Sequence, residues 1–241
     1  MSVLEVKSLV AGYEPGLSIV KGASIHADEG EIVVILGPNG AGKSSLIKAI
    51  AGLVPVSDGQ VLLDGRDITT VPAHLKIRQG LAFVPQTENI FPLMTVVENL
   101  AVSGGILPRG EVARRIDEMF QMFPDLARQR GLMAGSLSGG QRQMLGVARA
   151  LLVHPRVLML DEPSAGLSPK LVSQVFAGLQ DIRGKGLAIV LVEQNARAAL
   201  AIGDRAYVLV EGREAHDGPA NTLMDDPLIA ELYLGHRKEA S

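Results

Sequence analysis

A chain of 241 residues that is 47% hydrophobic and 20% charged can bury a full core, which excludes intrinsic disorder. Its formal net charge of −3 gives no overall attraction to nucleic acid or to an anionic membrane surface. The absence of cysteine excludes disulfides, thiolate metal sites and a thiol nucleophile, and with 3% aromatics and no tryptophan the core has to be aliphatic.

The opening run MSVLEVKSLV has charges among its apolar residues and does not read as a secretory signal. No stretch reaches the ~18 consecutive apolar residues of a spanning helix, so a membrane role would need another chain to cross the bilayer. Residues 3–30 and 54–68 carry short alternating runs with a turn signal at Asp64-Gly65, predicting a small antiparallel sheet. Between them, Glu31 to Leu36 is a nearly continuous apolar, β-branched run. Leu81 to Val84, Val157 to Leu160 and Leu187 to Val192 read the same way, as strands covered on both faces of a parallel sheet.

Helical patterns separate these strands. One runs from Lys43 to Leu53 and closes near Gly52; another starts at Ser168-Pro169, presents Leu171, Val175, Leu179 and Ile182, and stops around Gly184. Residues 95–153 lack strand signals and read as mostly helical, with Val112, Ile116, Met119, Phe120 and Phe123 forming an apolar stripe expected to pack as core. Beyond residue 217 the sequence adds a short apolar helix (Leu228, Ile229, Leu232, Tyr233) and a polar tail. Alternating strand and helix argues for an α/β fold with a wound core.

Gly37-Pro38-Asn39-Gly40-Ala41-Gly42-Lys43-Ser44 matches the P-loop pattern G-x4-G-K-[ST], directly after a strand and opening a helix. Triphosphate is dense negative charge. Glycines let successive backbone N–H groups turn inward without a Cβ in the way, and the following helix adds its positive end. Lys43 is suited to the β- and γ-phosphates, and the Ser44 hydroxyl to Mg2+. The strand Val157 to Leu160 runs out into Asp161 and Glu162. Beside a P-loop, Asp161 is placed to hold Mg2+ through water and Glu162 to polarise the attacking water as general base.

Leu137-Ser138-Gly139-Gly140-Gln141, followed by Arg142-Gln143 and a helix, repeats the device of hydroxyl, glycines and helix N-terminus. Lying between a P-loop and an acidic strand, it resembles the signature motif of ABC ATPases, and the resemblance covers essentially the whole chain. It implies a P-loop NTPase core with a mainly parallel sheet, a small antiparallel β subdomain and an inserted helical subdomain. These would form one domain over 1–236, with the core and β parts at about 1–88 and 154–236, the helical part at about 89–153, and a polar tail at 237–241.

The resemblance also implies ATP and Mg2+ as ligands, held in a head-to-tail dimer between the phosphate loop Gly37 to Ser45 of one subunit and Ser138, Gly139, Gly140 and Gln141 of the other. Tyr13 falls where the family stacks an aromatic on adenine. Gln86, after Phe83-Val84-Pro85, matches the glutamine that touches Mg2+ beside Ser44 and Asp161. Residues 87–100 match the region that receives a coupling helix from a membrane subunit, and Ile90, Phe91, Leu93 and Met94 suit either exposed apolar docking there or packing between subdomains. The implied partners are a second ATPase subunit, two membrane permeases and an external substrate-binding protein, with no nucleic acid. The implied location is the cytoplasmic face of the plasma membrane.

Two positions depart from the family pattern. Gln194, in Val192-Glu193-Gln194-Asn195, stands where a histidine is usual; its amide can donate to a γ-phosphate but carries no imidazolium charge. Ser168 stands where many members have aspartate. Together with VPQTENIFPLMTVVENL and DEPSAGLSP, LVEQNA is similar to one ATPase of branched-chain amino acid importers and their urea/amide relatives. The expected partner is then a related ATPase carrying the usual histidine. Lipid and lipopolysaccharide exporter ATPases share a similar helical region and are the nearest rival. A GTPase is disfavoured by the lack of an Asn-Lys-x-Asp guanine reader, and a DNA-repair member by the lack of a heptad insertion.

Overall fold

Branched aliphatic runs without a wet face pair side by side and are covered by helices above and below. The computed structural model describes residues 2–108, 110–184 and 186–224. In chain order these form β1 (Ser2–Ala11), β2 (Val20–Asp28), β3 (Ile32–Leu36), α1 (Lys43–Ala51), β4 (Val56–Leu63), β5 (Arg66–Asp67), α2 (Ala73–Lys76), β6 (Leu81–Val84), α3 (Val96–Ser103) and α4 (Glu111–Met122). They continue with α5 (Pro124–Arg128), α6 (Gly139–Leu151), β7 (Val157–Asp161), α7 (Pro169–Arg183), β8 (Ala188–Val192), α8 (Ala196–Leu200), β9 (Arg205–Val210), β10 (Arg213–Pro219) and α9 (Ala220–Leu223). The helix expected around Leu228, Ile229, Leu232 and Tyr233, and the tail 237–241, lie outside the described residues.

A six-stranded sheet runs in the order β10-β9-β3-β8-β7-β6, parallel throughout except where β10 returns antiparallel to β9. A four-stranded antiparallel sheet, β2-β1-β4-β5, stands beside it, with Asp64-Gly65 turning the chain from β4 to β5 as expected. Side chains alternate between the faces of the larger sheet. Ile32, Val34 and Leu36 join a core with α3, α4, α6 and α7 on one side. Val33 and Ile35 join α1 and the inner face of the smaller sheet on the other. With little aromatic volume available, both layers are filled chiefly by Val, Ile, Leu and Ala.

Helix α1 therefore lies between two sheets, and its C-terminal end is fixed by a buried cation. The Lys76 ammonium, fully enclosed, donates to the Ile50 carbonyl at 2.7 Å. Burial pushes its pKa down to about 8, partly opposed by Asp67. A second buried cation ends α6: Arg115 on α4 donates to the carbonyls of Leu151 and Leu152, both at 2.8 Å. Two helix C-termini thus place their orphan carbonyls on positive charge.

The apolar stripe on α4 packs as expected. Ile116, Met119 and Phe123 are buried in the helical layer, with Val112 and Phe120 against it. Segment 90–95 divides between the two readings, since Ile90 is not exposed but belongs to the core. Its neighbours Phe91, Leu93 and Met94 are exposed, Leu93 at 91%. The reversal comes from Asn99, wholly buried on α3. Its Oδ1 accepts from the Phe91 N–H at 2.8 Å, and its Nδ2 donates to the carbonyls of Phe91, Met94 and Thr95. These bonds fold the loop over α3, turning Ile90 inward and the next apolar residues outward. Thr95 and Glu98 complete a capping box that starts α3 at the end of this loop.

Replacing Asn99 by Ala leaves these buried backbone groups without a partner. Asn99→Ala should lose about 2 kcal/mol of stability, measured by denaturant unfolding; a loss within error would show that the loop does not depend on it.

Candidate nucleotide site

Four parallel strands end level with one another. Ile35 pairs with Val192, Val192 with Asp161 and Leu160 with Val84, so β3, β8, β7 and β6 release their next residues along one edge. Those residues are the phosphate loop, Gln194, Asp161 with Glu162, and Gln86. Ligands bind at this carboxyl edge in open α/β sheets because loops there are free to diverge.

The loop leaves β3 at Gly37, where a Cβ would stand 2.2 Å from the Leu209 carbonyl oxygen of β9. Only glycine permits that approach. Gly42, at φ 95°, turns the chain into α1. The Lys43 ammonium folds back along the loop and donates to the carbonyls of Gly37 at 2.8 Å and Pro38 at 3.1 Å. Burial pushes the Lys43 pKa down from the usual lysine range, opposed by the carboxylates of Glu162 and Asp161. Residues 39–45 line a cavity of about 360 Å3, closed by Ile19, Glu162 and Gln194.

Asp161 and Glu162 diverge, as expected of consecutive residues. The Ser44 hydroxyl donates to Asp161 Oδ1 at 2.7 Å, and Lys48 lies 3.9 Å from its other oxygen. Burial pushes the Asp161 carboxyl up, while Ser44, Lys48 and Lys43 oppose the shift and Glu162 adds to it. Glu162 takes a left-handed backbone conformation, φ 48°, unusual for a side chain with a Cβ. Its N–H donates to the Val192 carbonyl at 2.9 Å, prolonging the sheet by one bond. Its carboxylate receives two amides: Gln86 Nε2 at 2.8 Å, and Gln194 Nε2 at 2.9 Å from both oxygens.

Hard oxygen donors gather beside the phosphate loop. The Ser44 hydroxyl and Asp161 carboxylate already face each other, and Gln86 holds its amide nitrogen on Glu162, leaving its carbonyl oxygen as a further hard donor. Among the described residues, no group of three or more His, Asp or Glu gathers into an all-protein cage. Mg2+ takes few protein oxygens and completes its shell with phosphates and water, so these residues fit it.

The signature residues stand elsewhere. Ser138 caps α6, accepting from the Gln141 N–H at 3.3 Å, while Gln141 Oε1 accepts from the Ser138 N–H at 2.9 Å. Ser138, Gly140 and Gln141 border a different cavity, of about 480 Å3, with Leu171 and Val175 on its wall. They do not line the phosphate-loop cavity. Tyr13 is 55% exposed and outside both cavities. Ser168 begins α7 without capping it through its side chain.

Several residues at the site had no signal in the sequence. Ile19 reaches the cavity from before β2, and Lys48 faces Asp161 one turn after the phosphate loop. Ser164 and Glu193 form a buried pair behind Glu162, with the Ser164 N–H and hydroxyl donating to the carboxylate at 2.9 and 2.7 Å. Nothing in either local sequence marks that pairing, which joins loops 29 residues apart.

Residues 20–165 match the family model of the ABC transporter. A probable branched-chain amino acid transport ATP-binding protein, LivF, of Archaeoglobus fulgidus is 43% identical over 97% of this chain and 99% of its own length. The branched-chain amino acid transport ATP-binding protein BraG of Pseudomonas aeruginosa is 36% identical over 94% of this chain and 97% of its own. The lipopolysaccharide export ATP-binding protein LptB of Acidithiobacillus ferridurans is 35% identical over 97% of both. Among solved structures, an ATP-binding cassette of an ABC transporter in its ADP conformation superposes with a TM-score of 0.86 at 28% identity, covering 98% of this chain and all of that one. The level strand ends, the phosphate loop beneath Glu162 and the match along the full length agree: the chain belongs to the ABC transporter ATP-binding family and is an ATPase.

Proposed function

We propose that this chain powers the import of branched-chain amino acids. In this reading it forms an ATP-sandwich dimer with a second ATPase, on the cytoplasmic face of the membrane, beneath two permease subunits served by an external binding protein. The observation that carries the substrate class is the 43% identity to LivF across nearly the whole of both chains. None of the described helices is long and apolar enough to cross a membrane, so the permeases supply the path. The exposed Phe91, Leu93 and Met94 offer an apolar face for a permease coupling helix. That face is tied to the catalytic edge: Arg149 of α6 stacks over Phe91 at 4.5 Å, and Asn89 donates to Gln143 of α6 at 2.8 Å. Lipopolysaccharide export is the second reading, favoured by the 35% identity to LptB.

ATP hydrolysis follows from the chain's own groups. Backbone N–H groups of the loop Gly37 to Ser45 wrap the phosphates, and Lys43 exchanges the carbonyls of Gly37 and Pro38 for phosphate oxygens. Ser44, Asp161 and Gln86 would hold Mg2+, whose charge offsets that of the phosphates. Glu162 takes the proton of the attacking water, so one of its two amide partners must yield an oxygen. Gln194, already at the cavity wall, is placed to turn its amide toward the γ-phosphate. Ser138, Gly139, Gly140 and Gln141 of the partner subunit close the site over the same phosphate, and Tyr13 stacks on adenine. With an amide at 194 and Ser168 in place of Asp, this half-site grips ATP more firmly than it hydrolyses it.

Glu162→Gln should keep ATP affinity and lower turnover on the order of 10³-fold, trapping a closed dimer visible by size-exclusion chromatography; lost ATP binding would mean that the role is misassigned. Lys43→Ala should weaken ATP binding by about tenfold or more, and unchanged affinity would remove it from the phosphate cradle. Cells whose only copy carries Lys43→Ala should lose high-affinity uptake of radiolabelled leucine. Intact uptake accompanied by failure of lipopolysaccharide to reach the surface would favour the exporter reading.

A further inference from the structure

The loops after β7 and β8 are joined twice. At the cavity, Gln194 donates to both oxygens of Glu162. Behind it, Oε1 of Glu193 accepts from the Ser164 N–H at 2.9 Å, and Oε2 from the Ser164 hydroxyl at 2.7 Å. Residues 162–164 and 193–194 therefore close into a ring, covalent along each loop and hydrogen-bonded at both ends. Each loop is also pinned to the sheet, Glu162 through its N–H on the Val192 carbonyl and Glu193 through its N–H on the Ile35 carbonyl.

A carboxylate is a costly group to place there. Glu193 is 1% exposed, and no ion pair accompanies it among the described residues. Burial pushes its pKa up, opposed by the Ser164 hydrogen bonds. Burying an acid without a cation is unfavourable, and an apolar residue of similar volume would fill the space at less expense. What the carboxylate adds is a two-pronged, rigid tie. The residue that needs such a tie is close by: Glu162 holds a left-handed backbone conformation that persists only where its surroundings over-determine it.

We propose that Glu193 is a positioning residue for ATP hydrolysis, fixing the loop of Glu162 through Ser164 while its neighbour Gln194 engages the Glu162 carboxylate. This rests on the reading of Glu162 as the general base. Glu193 is bonded to Ser164 and does not line the phosphate-loop cavity, so it acts on turnover without contributing to the grip on ATP.

ATPase rates and ATP affinity of the full-length chain test this in four variants. Glu193→Ala should lower kcat by about tenfold or more while KM and ATP affinity stay within about twofold. Glu193→Gln retains an oxygen for the Ser164 N–H and an amide for its hydroxyl, and should restore kcat to within about threefold of the unaltered chain. Ser164→Ala should also lower kcat, and Ser164→Ala with Glu193→Ala should cost no more than Glu193→Ala alone, because both break one tie. Unchanged kcat in Glu193→Ala, additive losses in the double variant, or equal damage to ATP affinity would each overturn the proposal. Glu162→Gln in the same series separates the two readings. Turnover that persists there removes the general base itself, whereas turnover lost there but kept in Glu193→Ala removes only the positioning role.

Discussion

Everything at the catalytic edge depends on the register of four parallel strands. Parallel pairing without a slip sets Ile35 beside Val192, Val192 beside Asp161 and Leu160 beside Val84, so four loops far apart in sequence start side by side. A slip of one residue would turn every side chain of a strand to the opposite face and carry its loop out of reach. The hydrophobic layers on both faces hold the register, since each strand is buried on both sides and has no alternative packing. Chemistry here is a by-product of core packing: the same alternation that fills the interior sets where Glu162 meets Gln86 and Gln194.

The second constraint is backbone strain held in check by hydrogen bonds. Glu162 is left-handed, in contact with two amides, and carried by a loop braced against the next one through Ser164 and Glu193. Each side-chain bond in this group ends on a carboxylate, and such a charge-assisted bond contributes about 1.5–3 kcal/mol. Together they leave the carboxylate one direction to point. The loop after β6, which carries Gln86, is joined to α6 by Asn89 on Gln143 and by Arg149 over Phe91.

What could be read from sequence followed from how local each signal is. The phosphate loop, the acidic pair after β7 and the cap of α6 are contiguous, and each carries its mechanism within a few residues. The strands were legible because burial on both faces leaves continuous apolar runs. Whether Ile90 docks or packs was not legible because its burial is decided by Asn99, nine residues on, which folds the loop over α3. Lys76 and Arg115 carry no sequence sign that a charge is interior, since in a linear chain they look like any surface cation. The Ser164–Glu193 tie was invisible for a similar reason, as it exists only once β7 and β8 are in register.

The enclosed ammonium of Lys76 has a thermodynamic consequence of its own. The folded chain releases that proton near pH 8, whereas an unfolded lysine keeps it to about 10.5. Between those values the unfolded state binds the extra proton, so the folded state gains stability as the solution becomes alkaline across that window. Below pH 8 both states hold the proton, and the chain carries a positive charge inside its core at the foot of α1. The helix that presents the phosphate loop is thus anchored, near neutrality, by a group close to its own titration point, and mild alkali relieves the cost of burying that charge.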